Sequence, residues 1–334
     1  DVLLKLLSSP NIASKHWVFR QYDHEVGIRT VIKPGFDSSV LRLDNGKSLS
    51  VKIDGNPKHC YIDPRQGAIG CFEEACRNVV CTGATPIGMV DHLQFGNPED
   101  PEIFWTFMES IEGITDFAKF LNVPCVGGKV SFYNETSDGP IKPTPLIGVL
   151  GLIENSPLLP TPPSNNDVIL LVGETKDELG GSEYYEYIHN FVGGIAPKVD
   201  FEESQKNMKS ILSLISKNLV KYAHDCSKGG LATAISELCM FGKIGCEIDL
   251  PSTLSSEKML FSESHSRYLL VVDKNNLDEM KSLLSNHNCS FSELGIFSGD
   301  QIIFKSNSEP VLELRVDKAE NNYLNSLGKI IQNG

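Results

Sequence analysis

Two blocks of alternating strand-like and helix-like segments, separated by one proline-rich stretch, most constrain the fold of this 334-residue chain. The separating stretch, ENSPLLPTPPSNND, covers residues 154–167 and is too rich in Pro, Ser and Asn to form a helix or a central strand. A chain of this length also exceeds one ordinary hydrophobic core. We therefore predict an N-terminal domain at 1–154, a linker at 155–167 and a C-terminal domain at 168–334.

Hydrophobic periodicity predicts the elements of both blocks. In the helix predicted at 102–121, apolar residues recur at helical spacing and form one stripe: Phe104, Phe107, Met108, Ile111, Ile114, Phe117, Ala118 and Leu121. Strands and helices alternate throughout, which indicates an α/β (α+β) class. The predicted strands are 48–53, 87–90, 146–152, 168–173 and 267–273, and the other predicted helices are 67–81, 201–220, 231–241, 277–285 and 318–331.

The net charge of −13 argues against a nucleic-acid partner, because a phosphate backbone needs a basic surface. It still allows a small phosphorylated ligand, held by local donors or by a bridging divalent cation. No apolar run approaches the ~20 residues of a membrane span, and we find no signal peptide. The first residue is Asp1 rather than Met, so we expect a fragment or a processed product.

The nine cysteines include no CxxC pair. Cys71, Cys76 and Cys81 are five residues apart, which on a helix turns each by about 140° from the last, so they do not converge on a metal. We interpret the cysteines as reduced, mostly buried thiols of a cytoplasmic protein.

The segment PCVGGKVSFYNE, residues 124–135, places Gly127, Gly128 and Lys129 at the mouth of a predicted strand. A P-loop needs a glycine five residues before the Gly-Lys pair and a Ser or Thr after it, whereas Val123 and Val130 occupy those positions. The segment is therefore either a structural turn or a nucleotide site of another design.

Polar residues at three other places could hold a cation and an anion. Glu74 and Asn78 are one helical turn apart, so their oxygens can reach one magnesium ion, although the pair also fits a solvated helix face. Asp91 follows a predicted strand, where ligand-contacting groups gather.

The third place is AHDCSKGGLATA, residues 223–234, which opens a helix whose free N–H groups favour an anion. Ser227 can cap this helix, Gly229 and Gly230 allow close backbone approach, and Asp225 could serve a metal that bridges phosphates. The alternative is a capped helix with a flexible entry. Asp37, in KPGFDSSV, is by itself only a turn aspartate.

Several motifs occur in order along the chain, among them KPGFDSSV, DPRQGAIGCFEEACRNVVCTGATP, VDHLQFGNPEDPEIFW, VGGKVSFYNE and HDCSKGGLATAISE. In this order they resemble the phosphoribosylformylglycinamidine synthase (formylglycinamide ribonucleotide amidotransferase) family in its small-subunit form. The resemblance covers the second half of the family's synthetase subunit. It implies a fold like that of aminoimidazole ribonucleotide synthetase, with an N-terminal barrel-forming domain and a C-terminal α/β domain. The family's catalytic histidines belong to the other half, so we expect no catalytic residue here.

The resemblance implies two groups of site residues. In the first, Asp91, Gly128 and Lys129 would contact ATP and Ser131 would contact the substrate. Lys129 stands where the family has a magnesium-binding asparagine, which puts the metal role at this position in doubt and favours direct phosphate binding.

The second group matches an auxiliary nucleotide site of long family members. There Ser227 would contact the nucleotide, and the magnesium ligands would be Asp37, Glu74, Asn78 and Asp225. Two residues depart from the pattern: Gln94 replaces an asparagine, and Lys228 replaces an aspartate beside the predicted metal.

The implied reaction converts formylglycinamide ribonucleotide, ATP and ammonia into formylglycinamidine ribonucleotide, ADP and phosphate, with ATP/ADP and Mg²⁺ as cofactors. Expected partners are a glutaminase subunit, a small bridging subunit, and either the missing N-terminal half or a second copy of this chain. We expect the chain alone to be inactive. One alternative is a non-catalytic nucleotide-binding or assembly half. The other is a stand-alone relative such as aminoimidazole ribonucleotide synthetase or selenophosphate synthetase, which the FGNPE and SFYNE motifs disfavour.

Overall fold

The computed structural model describes residues 1–333, and their helices and strands alternate in both halves of the chain. The strands are β1 Thr30–Ile32, β2 Ser39–Arg42, β3 Ser48–Asp54, β4 Thr85–Gln94, β5 Cys125–Ser131, β6 Glu135–Thr136, β7 Gly139–Pro140, β8 Thr144–Ile153, β9 Val168–Val172, β10 Tyr222–Asp225, β11 Cys246–Asp249, β12 Tyr268–Val272, β13 Phe291–Phe297, β14 Gln301–Ser306 and β15 Glu309–Arg315. The helices are α1 Val2–Leu7, α2 His16–Phe19, α3 Pro57–Ile62, α4 Pro64–Val80, α5 Pro101–Leu121, α6 Glu183–His189, α7 Phe201–Ser216, α8 Gly230–Gly242, α9 Ser256–Phe261, α10 Leu277–Asn286 and α11 Val316–Asn333.

The N-terminal half forms a six-stranded sheet in the order β1-β2-β3-β8-β4-β5. Only β4 and β5 are parallel, and β1 and β5 are the two edges, so the sheet is open within the described residues. Helix α4 packs on β8 and β3, and α5 packs on α4. Gly151 of β8 allows this packing, because a Cβ there would lie 3.2 Å from the Cβ of Val79 on α4 and 2.7 Å from the Cβ of Ala84. One face of the sheet is thus covered by helices.

The C-terminal half forms a seven-stranded sheet in the order β10-β12-β9-β13-β11-β14-β15, in which only β11 and β14 are parallel. Every residue of β9 and β12 is buried, which explains why both strands are continuous apolar runs in the sequence. Successive side chains of β9 enter different cores. Val168, Leu170 and Val172 join a core that extends into the N-terminal half, whereas Ile169 and Leu171 pack towards α8.

Each predicted helix and strand corresponds to an observed element, with three differences. The helix predicted at 201–220 ends at Ser216, close to Asn218, which adopts a left-handed conformation with φ 58°. The apolar stripe of α5 is only partly buried, since Phe104 and Met108 are exposed. Residues 127–129 lie inside β5 rather than at the mouth of a strand.

The segment 154–167 contains no helix or strand, and the domain boundaries drawn from it stay a prediction. All nine cysteines are free thiols, of which eight are buried and Cys125 is exposed. Among residues 1–333, no helix combines the length and apolar character needed to cross a bilayer.

A buried ionic cluster joins the two halves around Arg77 of α4. Its guanidinium pairs with Glu73, one turn earlier, and with Asp225 at the end of β10. Ser204 and Ser266 of the C-terminal half donate hydrogen bonds to Glu73 at 3.0 and 3.2 Å. Burial opposes ionisation of Glu73, but the charge of Arg77 together with the contacts to His265 and Ser204 outweighs it and lowers the pKa of Glu73 to about 2.

Replacing Glu73 by Gln should destabilise the protein by about 3–5 kcal/mol, because it leaves the buried Arg77 with one carboxylate fewer. Chemical denaturation at neutral pH measures this loss. The control is Glu112→Gln, which breaks an exposed ion pair with Arg65 and should cost less than about 1 kcal/mol. Equal losses for the two variants would contradict the assignment of Glu73 to a junction that stabilises the fold.

Glu263, beside α8, is a second buried carboxylate between the halves. One oxygen accepts hydrogen bonds from the backbone N–H groups of Glu183 and Gly229, both within 2.9 Å, while the other lies 3.6 Å from Nε2 of His59. Burial is the main reason that the pKa of Glu263 rises from 4.5 to about 7, against the opposing charge of Lys58.

Glu263 should therefore make the folded state less stable as pH rises. Between pH 4.5 and about 7 the folded protein holds a proton on Glu263 that the unfolded chain has lost, so the free energy of unfolding decreases with rising pH by up to about 3 kcal/mol. Glu263→Gln should remove this contribution, and urea unfolding across the interval measures it. Above the folded pKa the difference between variant and wild type should stay constant. A variant with the wild-type pH dependence across the interval would refute this prediction.

Candidate functional site

A cavity of about 700 Å³ lies between the two halves of the chain. Its walls include residues of β3, α4, β10, α8 and α11 and of the segments 11–16 and 34–37. The volume is that of a typical small-molecule site. We call this cavity the cleft.

Asp37 reaches the cleft from the loop that precedes β2. Its Oδ1 accepts hydrogen bonds from the backbone N–H of Asp225 at 2.8 Å and from Nδ1 of His224 at 2.9 Å, and its Oδ2 accepts one from the Tyr222 hydroxyl at 3.0 Å. Burial opposes ionisation of Asp37, but the charge of His224 and these hydrogen bonds lower the pKa of its carboxyl group. The turn aspartate of the sequence is thus a buried residue bound to β10.

Glu74 and Asn78 face the cleft from one side of α4, as their spacing predicts. The Asn78 amide donates to Oδ2 of Asp225 at 3.2 Å and to Oδ2 of Asp54 at 3.1 Å, and its oxygen accepts from Lys52 at 3.2 Å. The alternative of a solvated helix face is wrong, because both side chains are almost fully buried.

Asp225 ends β10 and completes the set. Its Oδ1 is held by Arg77, its Oδ2 accepts the hydrogen bond from Asn78, and its backbone N–H binds Asp37. The four residues predicted as magnesium ligands therefore lie together at one end of the cleft, which we call its floor. Asp37, Asp225 and Asn78 are linked by direct hydrogen bonds, and Glu74 lies one helical turn before Asn78 on α4.

Two lysines stand among these oxygens. Lys228 Nζ lies 3.3 Å from Oε1 of Glu74, and Lys52 Nζ lies 3.7 Å from a carboxylate oxygen of Asp54 as well as beside Asn78. Burial works against ionisation of Glu74, but the charges of Lys228, Arg77 and Lys52 lower its pKa to about 2. Nearby carboxylates likewise raise the pKa of Lys228 despite its burial. Both lysines are therefore charged at neutral pH.

The donor set does not fit a magnesium ion as it is paired. Magnesium needs about six oxygens in a near-octahedral shell, with its carboxylates free to coordinate. Here Asp225 is ion-paired with Arg77, Glu74 is ion-paired with Lys228, and Asp37 accepts hydrogen bonds from three protein donors. Among the described residues there is also no group of three or more His, Cys, Asp or Glu side chains placed to hold a metal.

Part of the cleft lining, which we call the aromatic wall, is apolar. Phe36 packs edge-on against Phe241 and Tyr222, with ring centroids 5.3 and 6.5 Å apart. Leu238 and Met240 of α8 also line the cavity. An apolar lining with a few charged groups is typical of small-molecule sites.

The segment before α8 forms another part of the cleft. Gly229, with φ 75°, is the N-cap, and no side chain caps this helix, so the expected capping role of Ser227 is wrong. Gly230 does allow close backbone approach, because a Cβ there would lie 2.7 Å from the carbonyl oxygen of Leu260. One turn into the helix, the buried Thr233 hydroxyl has no hydrogen-bond partner among residues 1–333. The N–H groups of Gly229 and Gly230 are bonded to Glu263 and to the Ser227 carbonyl, so the Thr233 hydroxyl is the free donor found here.

The other predicted site residues lie outside the cleft, on the paired strands β4 and β5. Asp91 is opposite Gly128 in the register, and a Cβ on Gly128 would collide with the Asp91 carboxylate. Asp91 borders a second cavity, of about 590 Å³, beside α5. Lys129 is exposed on β5, and the Ser131 hydroxyl lies 3.3 Å from Asn134. The structure thus separates the predicted residues into two groups.

Five residues that line the cleft were missed in the sequence: Lys52, Asp54, Tyr222, His224 and Glu237. Arg77, which is buried and pairs with Asp225, was missed as well. Glu73 and Arg77 share the four-residue spacing of an ion pair, which would have drawn attention to Arg77. The alternation of Lys52 and Asp54 in β3 places both on one face. For the contacts of His224 with Asp37 and Glu237, nothing local in the sequence gives a signal.

Two family models match the chain in sequence. AIR synthase related protein, N-terminal domain, matches residues 35–153, and AIR synthase related protein, C-terminal domain, matches residues 164–305. Among solved structures, Thermotoga maritima PurL complexed with FGAR superposes with a TM-score of 0.78 over 96% of this chain and 52% of that chain, at 19% identity. The T. maritima protein complexed with ATP and the structure named PurLQS superpose with TM-scores of 0.72 and 0.74 over 95% and 96% of this chain and 51% of each of those chains, at 19% and 20% identity. These structures establish the likeness of fold.

Curated relatives are closer in sequence. The phosphoribosylformylglycinamidine synthase subunit PurL of Methanococcus aeolicus is 42% identical over 99% of this chain and 46% of its own length. That of Pyrococcus horikoshii is 42% identical over 98% of this chain and 45% of its own length. The chain thus spans about half the length of the curated relatives it matches. With this identity along almost all of its residues, the chain belongs to the phosphoribosylformylglycinamidine synthase subunit PurL family.

Proposed function

We propose that this chain is the second half of an ATP-dependent synthetase that converts formylglycinamide ribonucleotide into formylglycinamidine ribonucleotide. In this reaction ATP phosphorylates the amide oxygen, and ammonia then displaces phosphate from the carbon. The proposal is supported by the 42% identity to PurL subunits over nearly the whole chain. Asp91, Gly128, Lys129 and Ser131, on β4 and β5, would contribute ATP and substrate contacts to the reacting site, with magnesium accompanying ATP there.

Within this enzyme, the cleft would be an auxiliary adenine-nucleotide site that has a structural role. The observation that carries this assignment is the pairing of an apolar aromatic wall with two half-buried lysines in one cavity of about 700 Å³. The base would lie against Phe36 and Phe241, and the phosphates would reach Lys228, Ser227 and the start of α8. Every cleft carboxylate described above is engaged by a protein donor or cation, which favours binding rather than catalysis there.

The exposed face of the N-terminal sheet would bind the rest of the enzyme. Ile53, Val90 and Val126 lie on the face opposite α4, and 64%, 39% and 63% of their surfaces are exposed. The edge strand β5 is exposed along most of its length and leaves backbone groups unpaired. We propose that the missing half, or a second copy of this chain, covers this face and extends the sheet towards a closed barrel.

Ammonia would be delivered by a glutaminase subunit through a small bridging subunit, as the resemblance implies. A structure named PurLQS among the neighbours supports a multi-subunit assembly. The nine unpaired cysteines suit a reducing compartment, and we propose that the protein acts in the cytoplasm.

The isolated chain should bind ADP, and Ser227→Ala should weaken binding about tenfold, because a hydroxyl donor to a charged phosphate is lost. Isothermal titration calorimetry measures both affinities. Ser216→Ala is the matched control, since that hydroxyl bonds only to the Ser213 carbonyl on α7, away from the cleft. Absence of ADP binding would end the assignment of the cleft.

The chain alone should make no formylglycinamidine ribonucleotide from ATP, ammonium and substrate, and addition of the N-terminal half should restore synthesis. Val126→Asp should block this restoration by placing a charge on the apolar face, while Val311→Asp, on the exposed edge strand β15, should not. Product formation is the measurement. Turnover by the chain alone would refute the proposed division of the enzyme.

A further inference from the structure

We propose that the cleft binds nucleotide phosphates without a metal ion, and that the ammonium groups of Lys228 and Lys52 supply the charge that a divalent cation would otherwise provide. The inference rests on the proposed nucleotide role of the cleft and concerns how that nucleotide is held.

The first argument is the position of Lys228. Its ammonium group lies 3.3 Å from Glu74, in the place where a cation bound to this carboxylate would also lie. An ammonium group has three donors, and Glu74 is the one acceptor found for it among residues 1–333. About a quarter of the side chain is exposed, and Lys228 lines the cavity. Donors therefore remain for an incoming phosphate.

The second argument concerns Lys52, which enters the cleft from β3. Its ammonium group donates to Asn78 at 3.2 Å and lies 3.7 Å from Asp54. This places it on the oxygen of Asn78 that would otherwise be the amide ligand of a metal. The two lysines therefore place one positive charge beside Glu74 and another beside Asn78.

The third argument is the cost of adding an ion. Asp225 is joined to the fully buried Arg77, and Asp37 accepts three hydrogen bonds. A metal that recruited Asp225 would leave Arg77 with only Glu73, and one that recruited Glu74 would bring a divalent charge beside Lys228. Both changes are unfavourable in a buried site. Direct phosphate binding requires neither.

The decisive measurement is the affinity of the protein for ADP in excess EDTA and in excess magnesium. Dissociation constants that agree within about threefold support the inference, because the lysines then supply the charge. Binding that disappears in EDTA and returns with magnesium overturns the inference but leaves the proposed nucleotide role intact. No binding in either condition overturns both.

Variants of Lys228 give a second measure. Lys228→Met should weaken ADP binding in EDTA by about tenfold or more, since a charged hydrogen bond to phosphate is lost, and Lys228→Arg should retain most of it. Lys228→Asp places a carboxylate beside Glu74 and should make ADP binding depend on magnesium.

Lys221→Met is the matched control for Lys228→Met. Lys221 is equally exposed and also ion-paired, to Asp167, but it lies outside the cleft, so ADP affinity should not change. Thermal unfolding confirms that each variant is folded before its affinity is compared. Wild-type affinity of a folded Lys228→Met protein in EDTA would overturn the inference.

Discussion

The buried guanidinium of Arg77 is the interaction on which the junction between the two halves depends. A charge removed from water is tolerated only when carboxylates and hydrogen bonds replace its hydration. Glu73 comes from the same helix, but Asp225 comes from a strand 148 residues further along the chain. Satisfying Arg77 therefore requires α4 and β10 to lie at one distance and orientation, and the serines that bind Glu73 hold the same arrangement from the C-terminal side.

The cleft follows from this junction. Beside Arg77 the apolar core is replaced by polar side chains. Asp225, Asn78 and Asp37 are linked there in one chain of hydrogen bonds. Around them the packing is apolar on both sides: β9 contributes alternate residues to two cores, one of which spans the junction. The result is a rigid floor of oppositely charged groups under an open cavity. In the proposed nucleotide role, an anion would meet charges that are already fixed by their partners.

How well the sequence predicted the structure differs from one residue to another. The helical spacing of Glu74 and Asn78 was enough to place both on one face, because a spacing of four residues has the same meaning in any α-helix. The same holds for β9 and β12, whose uninterrupted apolar runs predict strands buried on both faces. Local pattern was misleading for Ser227, which precedes a helix without capping it, and for Gly127, Gly128 and Lys129, which resemble a turn but lie within β5. In each of these two cases the final conformation depends on strands and helices that are distant in the sequence.

By itself the sequence determined the six longest helices, five of the strands, the break at 154–167 and, through ordered motifs, the family. These properties depend on periodicity and on residues close together in the chain. Only the tertiary structure decided that Asp37 meets His224 and Tyr222, that Arg77 meets Asp225, and that Lys228 and Lys52 stand among the predicted metal ligands. These contacts join residues that are 26 to 187 positions apart in the chain. The physical reason is that a buried charge is unfavourable unless another group pairs with it. Which charges are buried together depends on how the two sheets pack, and this is not encoded in any local stretch of sequence.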